Sequence, residues 1–108
     1  MGSTVKKASE VQLIVLACEA GMGSSLMVAN GLKKKVKKAK LGIKVTHSPV
    51  HSIPADADVV VTHEGLSARV RETAPPGSPV VTYRVFLNDP AITNLVDTLA
   101  AGGDVEGL

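Results

Sequence analysis

The residues best equipped for chemistry stand together in this chain, as Cys18-Glu19-Ala20-Gly21-Met22-Gly23-Ser24-Ser25. A cysteine becomes a strong nucleophile when positive potential stabilises its thiolate. Gly21 and Gly23 let backbone N–H groups turn inward and form a nest for an anion. Ser24 and Ser25 add hydroxyl donors, and a helix starting there adds the positive end of its dipole. Glu19 acts the other way, since a neighbouring carboxylate disfavours a second negative charge. The amide nest prevails if Glu19 points to solvent. A lone cysteine at a strand end is more often a small buried hydrophobe. Two glycines and two serines opening a helix shift the balance toward an oxyanion site, with Cys18 as its nucleophile.

What is missing narrows the phosphate chemistry. A nucleoside-triphosphate loop needs Gly-Lys-Ser/Thr, whereas Gly23 is followed by Ser24. A dinucleotide fingerprint needs a third glycine where Leu26 stands. A cysteine phosphatase needs arginine at the position of Ser24, to clamp phosphate bidentately and stabilise the transition state. No aspartate general-acid loop is evident. The arrangement is phosphatase-like without the hydrolytic equipment, which suits a protein that holds a phosphocysteine and does not hydrolyse it.

The elements that would position this loop read as an α/β chain. Leu13 to Ala17 is continuously apolar, the pattern of a strand buried on both faces of a parallel sheet. Leu26, Ala29, Leu32, Val36 and Ala39 then recur at helical spacing, with Ser24 or Ser25 as N-cap and Gly42 as terminator. Ile43 to Thr46 is a short second strand, and His47 to Pro54 a connection. Asp58 to Thr62 is the clearest strand. Gly65 to Thr73 is a short helix stopped by Pro75-Pro76-Gly77. Val80 to Tyr83 is the fourth strand, and Asn88-Asp89-Pro90 caps a last helix over Ala91 to Ala101. This order predicts an open four-stranded parallel sheet with helices on both faces, of the low-molecular-weight-phosphatase-like kind. Residues 1–10 are expected to be a flexible linker or tag remnant, 11–101 the single domain, and 102–108 a fraying tail.

Composition excludes several classes. At 108 residues and 44% hydrophobic content the chain is one globular domain. Tyr83 and Phe86 are its only aromatic residues besides histidine, and the net charge is +2. Base-stacking platforms and a nucleic-acid footprint are therefore not expected. One cysteine excludes a disulfide framework or a cysteine-rich zinc site. Met1 to Glu10 has no apolar signal core, and the apolar run at Val11 to Ala17 is too short to span a bilayer. A soluble intracellular protein is the expectation.

The stretch Leu13 to Ser25, ending in the cysteine loop, closely resembles the active-site loop of IIB components of the bacterial phosphoenolpyruvate-dependent sugar phosphotransferase system, nearest to the mannitol type. The similarity continues through the lysine-rich helix and Asp58-Val59-Val60-Val61-Thr62-His63, and covers most of residues 11 to 101. Family loops commonly carry Asp after the cysteine, and here Glu19 keeps the charge. The resemblance implies a phosphocysteine at Cys18, formed from the phosphohistidine of a IIA partner. It also implies transfer to a sugar, mannitol or another hexitol, presented by a membrane IIC component. The chain would then be cytoplasmic and held at the inner face of the cell membrane through IIC, with no cofactor.

Other polar residues have plainer readings. His63 lies on the sheet edge of Cys18, where it is a strand-end residue or an accessory that orients the phosphoryl group. His47 and His51 sit in a polar stretch without further ligands, so no metal site is expected. Arg69 and Arg71 read as surface charge. Lys33, Lys34, Lys35, Lys37, Lys38 and Lys40 form either a solvated face complementing the helix dipole or a basic docking surface, for an acidic partner or the membrane near IIC. Two competing functions remain open. One is a cysteine phosphatase or arsenate reductase, opposed by the missing arginine and missing second cysteine. The other is a regulatory module that signals sugar flux through phosphorylation-dependent partner binding.

Overall fold

The computed structural model describes residues 5–18, 24–74, 78–84 and 90–106. In chain order its elements are β1 (Val5–Lys7), β2 (Leu13–Cys18), α1 (Ser24–Lys38), β3 (Lys44–Pro49), β4 (Val59–His63), α2 (Ser67–Thr73), β5 (Val80–Tyr83), α3 (Pro90–Ala100) and β6 (Asp104–Glu106). Short 3-10 turns occupy Ala8–Glu10, Val50–Ser52 and Glu64–Leu66. Four strands form one parallel sheet in the order β3-β2-β4-β5, as the α/β pattern predicts.

The unbroken apolar runs of β2 and β4 are explained by cover on both faces. Ile14, Leu16, Val59 and Val61 meet Val28, Ala29, Leu32 and Val36 of α1 and Ile92, Leu95, Val96 and Leu99 of α3. Val15, Ala17 and Val60, pointing the other way, pack with Val70 of α2 and with Val50 and Ala57 of the connection between β3 and β4. Burying each such Val, Leu or Ile contributes about 1.5–3 kcal/mol, so neither run could be polar on alternate positions without losing a core. None of the described helices is long and apolar enough to cross a membrane.

Two polar clamps fix where the strands begin. The Asp58 carboxylate accepts from the Gln12 and Leu13 N–H groups at 2.8 and 2.9 Å, pinning the start of β2 to that of β4. The buried Ser78 hydroxyl donates to the Ala57 carbonyl at 2.6 Å, holding the approach to β5. With these in place the register runs from Ile14 opposite Val59 to Ala17 opposite Thr62.

The structure departs from the sequence-based expectations at several points. Residues 5–7 and 104–106, expected as linker and frayed tail, pair as an antiparallel ribbon. Val105 of that ribbon is buried in the α1–α3 side of the core, which is what holds it down. The second strand extends to Pro49 rather than stopping at Thr46, because β3 is an edge strand and tolerates polar residues and a terminal proline. Ser24 and Ser25 are the first residues of α1 instead of its cap. The helix ends at Lys38 and is capped at Lys40, ahead of Gly42. The Lys40 N–H donates to the Lys37 carbonyl at 3.1 Å and the Leu41 N–H to the Val36 carbonyl at 3.3 Å. With Lys40 at φ 57°, this is a Schellman cap, completed by Leu41 packing on the core beside Val36. The expected stop at Pro75-Pro76-Gly77 and the cap residues Asn88 and Asp89 lie outside the described residues.

Candidate functional site

Cys18 is the last residue of β2, a strand flanked on both sides, and its backbone stands opposite Pro49 of β3. From β2 the chain passes through α1 to β3 on one side, then returns to β4 on the other. The carboxyl ends of β2 and β4 thus flank the point where the strand order reverses, the place where open α/β sheets bind ligands. Glu19, Ala20, Gly21, Met22 and Gly23 lie outside the described residues; α1 opens at Ser24 and Ser25 directly after them.

The end of β4 brings its own polar groups to this edge. Ala17 and Thr62 are paired in the register, so Cys18 and His63 follow as neighbours on adjacent strands. The fully buried Thr62 hydroxyl donates to the Ala17 carbonyl at 3.0 Å, which holds the backbone immediately before the cysteine. His63 is half-buried. Its Nδ1 accepts the Gly65 N–H at 3.0 Å, so the neutral ring carries its proton on Nε2. The Tyr83 ring, opposite His63 in the β4–β5 register, packs on it edge to face at 5.6 Å between centroids. The Gly65 amide and the Tyr83 ring together fix the orientation of the imidazole at the strand end.

Beyond His63, Glu64 and Arg84 form an ion pair of 2.8 Å at the same edge, with the two side chains 52% and 79% exposed. Such a pair adds little stability. Thr62, Gly65 and Tyr83 went unnoticed as site residues in the sequence because their roles are cross-strand or turn contacts with no local pattern. His47 and His51 are exposed and sit on β3 and the turn after it. Among the described residues no group of three or more His, Cys, Asp or Glu gathers as a metal site. Arg69 and Arg71 are exposed on α2, across the sheet from α1.

Comparison with known proteins agrees with this geometry. The family model for the phosphotransferase-system lactose/cellobiose-specific IIB subunit matches residues 13–98. The mannitol-specific EIICB component of Geobacillus stearothermophilus is 42% identical over 91 residues, which cover 84% of this chain and 19% of the relative. That of Bacillus subtilis is 43% identical over 89 residues, covering 82% of this chain and 18% of the relative. The chain therefore spans about a fifth of the length of these relatives. Among solved structures, the lactose-specific IIB component domain of the phosphoenolpyruvate:carbohydrate phosphotransferase system from Streptococcus pneumoniae aligns with a TM-score of 0.48 at 14% identity, over 85% of this chain and 89% of that one. A match across nearly the whole sheet and relatives of this identity, together with a cysteine ending the central strand, place the chain plainly: it belongs to the phosphotransferase-system IIB family.

Proposed function

We propose that this chain is a phosphoryl carrier that takes the group on Cys18. The observation that carries the reading is the position of Cys18, at the carboxyl end of a central strand and at the switch point of a IIB-family sheet. In the first step the Cys18 thiolate attacks the phosphorus of a phosphohistidine on a IIA protein. An S–P bond forms, the N–P bond breaks, and the departing imidazole takes a proton. In the second step a sugar hydroxyl attacks the same phosphorus, the S–P bond breaks, and Cys18 leaves as thiolate while the hydroxyl proton passes to a base beside the sugar.

Phosphoryl transfer needs little covalent help beyond the nucleophile; positioning and charge stabilisation do most of it. The loop residues Glu19 to Gly23, with Ser24 and Ser25 at the start of α1, supply the amide and hydroxyl donors. His63, at the strand end next to Cys18, helps to orient the phosphoryl group. The relatives are named mannitol-specific EIICB components, and on that ground the acceptor is mannitol or another hexitol presented by a membrane IIC component. The chain would accordingly work on the cytoplasmic side of that membrane.

The test is intact-mass spectrometry after incubation with phosphoenolpyruvate, the general phosphotransferase proteins and a phosphorylated IIA domain. A single phosphoryl adduct on the wild type, absent from Cys18→Ser, is the expected result. No adduct with any competent IIA donor would overturn the carrier reading.

A further inference from the structure

At the end of the molecule opposite Cys18 lies a groove of about 530 Å³ lined by Lys33, Val36, Lys37, Lys40, Gly42, Ile43 and Val45. Lys33, Lys37 and Lys40 recur at helical spacing, so they rim one side of α1 and its cap. Val36 and Val45 are core residues, and with half-buried Ile43 they give the groove an apolar floor. Lys34 and Lys38 are also exposed here, and Lys44 begins β3 beside the groove. The stretch Lys33 to Lys44 holds seven of the twelve basic residues, and no acidic residue occurs between Glu19 and Asp56. No ion pair neutralises these lysines among the described residues.

Lys40 adds a second observation. It occupies the left-handed position of the α1 cap at φ 57°, where glycine is favoured and an L side chain costs about 1–2 kcal/mol. Lys40 thus places a charge on the rim of the basic groove at a backbone position where glycine would be less strained.

We infer that this lysine-rimmed groove is a docking surface for an anionic phospholipid bilayer. The inference rests on the IIB reading only for the nearness of a membrane. The charge is carried by lysine alone, without arginine. Discrete carboxylates or phosphates on a protein are gripped by the guanidinium fork, whereas compact ammonium groups act as point charges, matched to a fluid sheet of phosphates. No aromatic residue lies there to stack on a base, which disfavours nucleic acid. The apolar floor suits the glycerol and upper acyl region beneath those phosphates. α1, about 22 Å long, separates this surface from the cysteine loop at its other end. Docking by the lysines therefore leaves the Cys18 edge open to a soluble phosphoryl donor. Delivery to the sugar presented by IIC requires that surface to release, so that the same edge can turn to the membrane.

The test is co-sedimentation of the 108-residue chain with vesicles of phosphatidylcholine alone and mixed with phosphatidylglycerol. Binding is expected only to the mixed vesicles, and is lost in 1 M salt, where the screening length contracts to about 3 Å. Each lysine near the surface is worth roughly five-fold in partition, so Lys33→Gln, Lys37→Gln and Lys40→Gly combined weaken binding on the order of 100-fold. Arg69→Gln with Arg71→Gln, on the opposite sheet face, leaves most of it. Phosphoryl acceptance by all variants is followed in parallel and stays at the wild-type level. Vesicle binding that ignores lipid charge, or survives the lysine changes, overturns the inference. So does an absence of vesicle binding combined with lysine-dependent binding of a phosphorylated IIA domain, which would make the surface a protein interface. A wild type that binds vesicles but accepts no phosphoryl group would instead defeat the carrier reading alone.

Discussion

His63 is held by contacts that a single residue could not supply. The Gly65 amide occupies Nδ1, the Tyr83 ring braces one side, and β4 carries the residue to the strand end beside Cys18. A hydrogen bond to a charged group is worth about 1.5–3 kcal/mol, so His63→Ala is expected to slow phosphoryl acceptance roughly 10- to 100-fold. Gly65→Ala probes the same contact indirectly, because its methyl would stand 3.3 Å from His63 Nδ1 and press on the ring. A loss smaller than that of His63→Ala is expected. Single-turnover time courses by mass spectrometry read both, with urea melts confirming that the variants are folded. A wild-type rate for His63→Ala would reduce the histidine to a strand-end residue. At this scale the cysteine loop is a proposal made from contiguous glycines and serines, and the structure adds to it the position of Cys18 at the end of β2. The partners of His63 were not legible in the sequence, since Tyr83 reaches it only through strand pairing.

Among the elements, α1 shows how a cap can be misread. Gly42 is the glycine a sequence reader chooses, and it does have φ 67°. The helix nonetheless closes at Lys40, because Leu41 must follow in position to pack beside Val36 on the core. Lys40→Gly relieves the left-handed strain and gives back part of it as unfolded-chain entropy. A net stabilisation of about 0.5–1 kcal/mol is expected, read as a higher urea midpoint at unchanged slope. A lower midpoint would mean that the lysine itself holds the cap. Paired with the vesicle assay, this variant separates stability from surface charge: the chain becomes more stable and binds anionic lipid less.

The whole molecule depends on a contact between its ends. β1 and β6 pair, and Val105 sits in the same cluster as Val11, Leu95 and Leu99. Truncation after Gly103 removes the burial of Val105, about 1.5–3 kcal/mol, and unpairs β1. At about 4–8 °C per kcal/mol for a domain of this size, a clear fall in Tm is expected by calorimetry. An unchanged Tm would return residues 104–106 to the status of a tail. The four-stranded sheet should survive, because its clamps at Asp58 and Ser78 do not involve the ribbon.

By itself the sequence determined the parallel sheet and marked Cys18, at the end of its first strand, as the candidate nucleophile. Continuous apolar runs demand cover on both faces. It also showed the lysines of α1, though not their relation to a groove. Tertiary structure alone decided the rest. The groove exists because the start of β3 lies against the end of α1, and the His63–Tyr83 contact exists because β4 and β5 are in register. The terminal ribbon is the plainest case. Two three-residue strands have no periodicity to detect, and only the exposed side of the α1–α3 core gives Val105 a reason to be there.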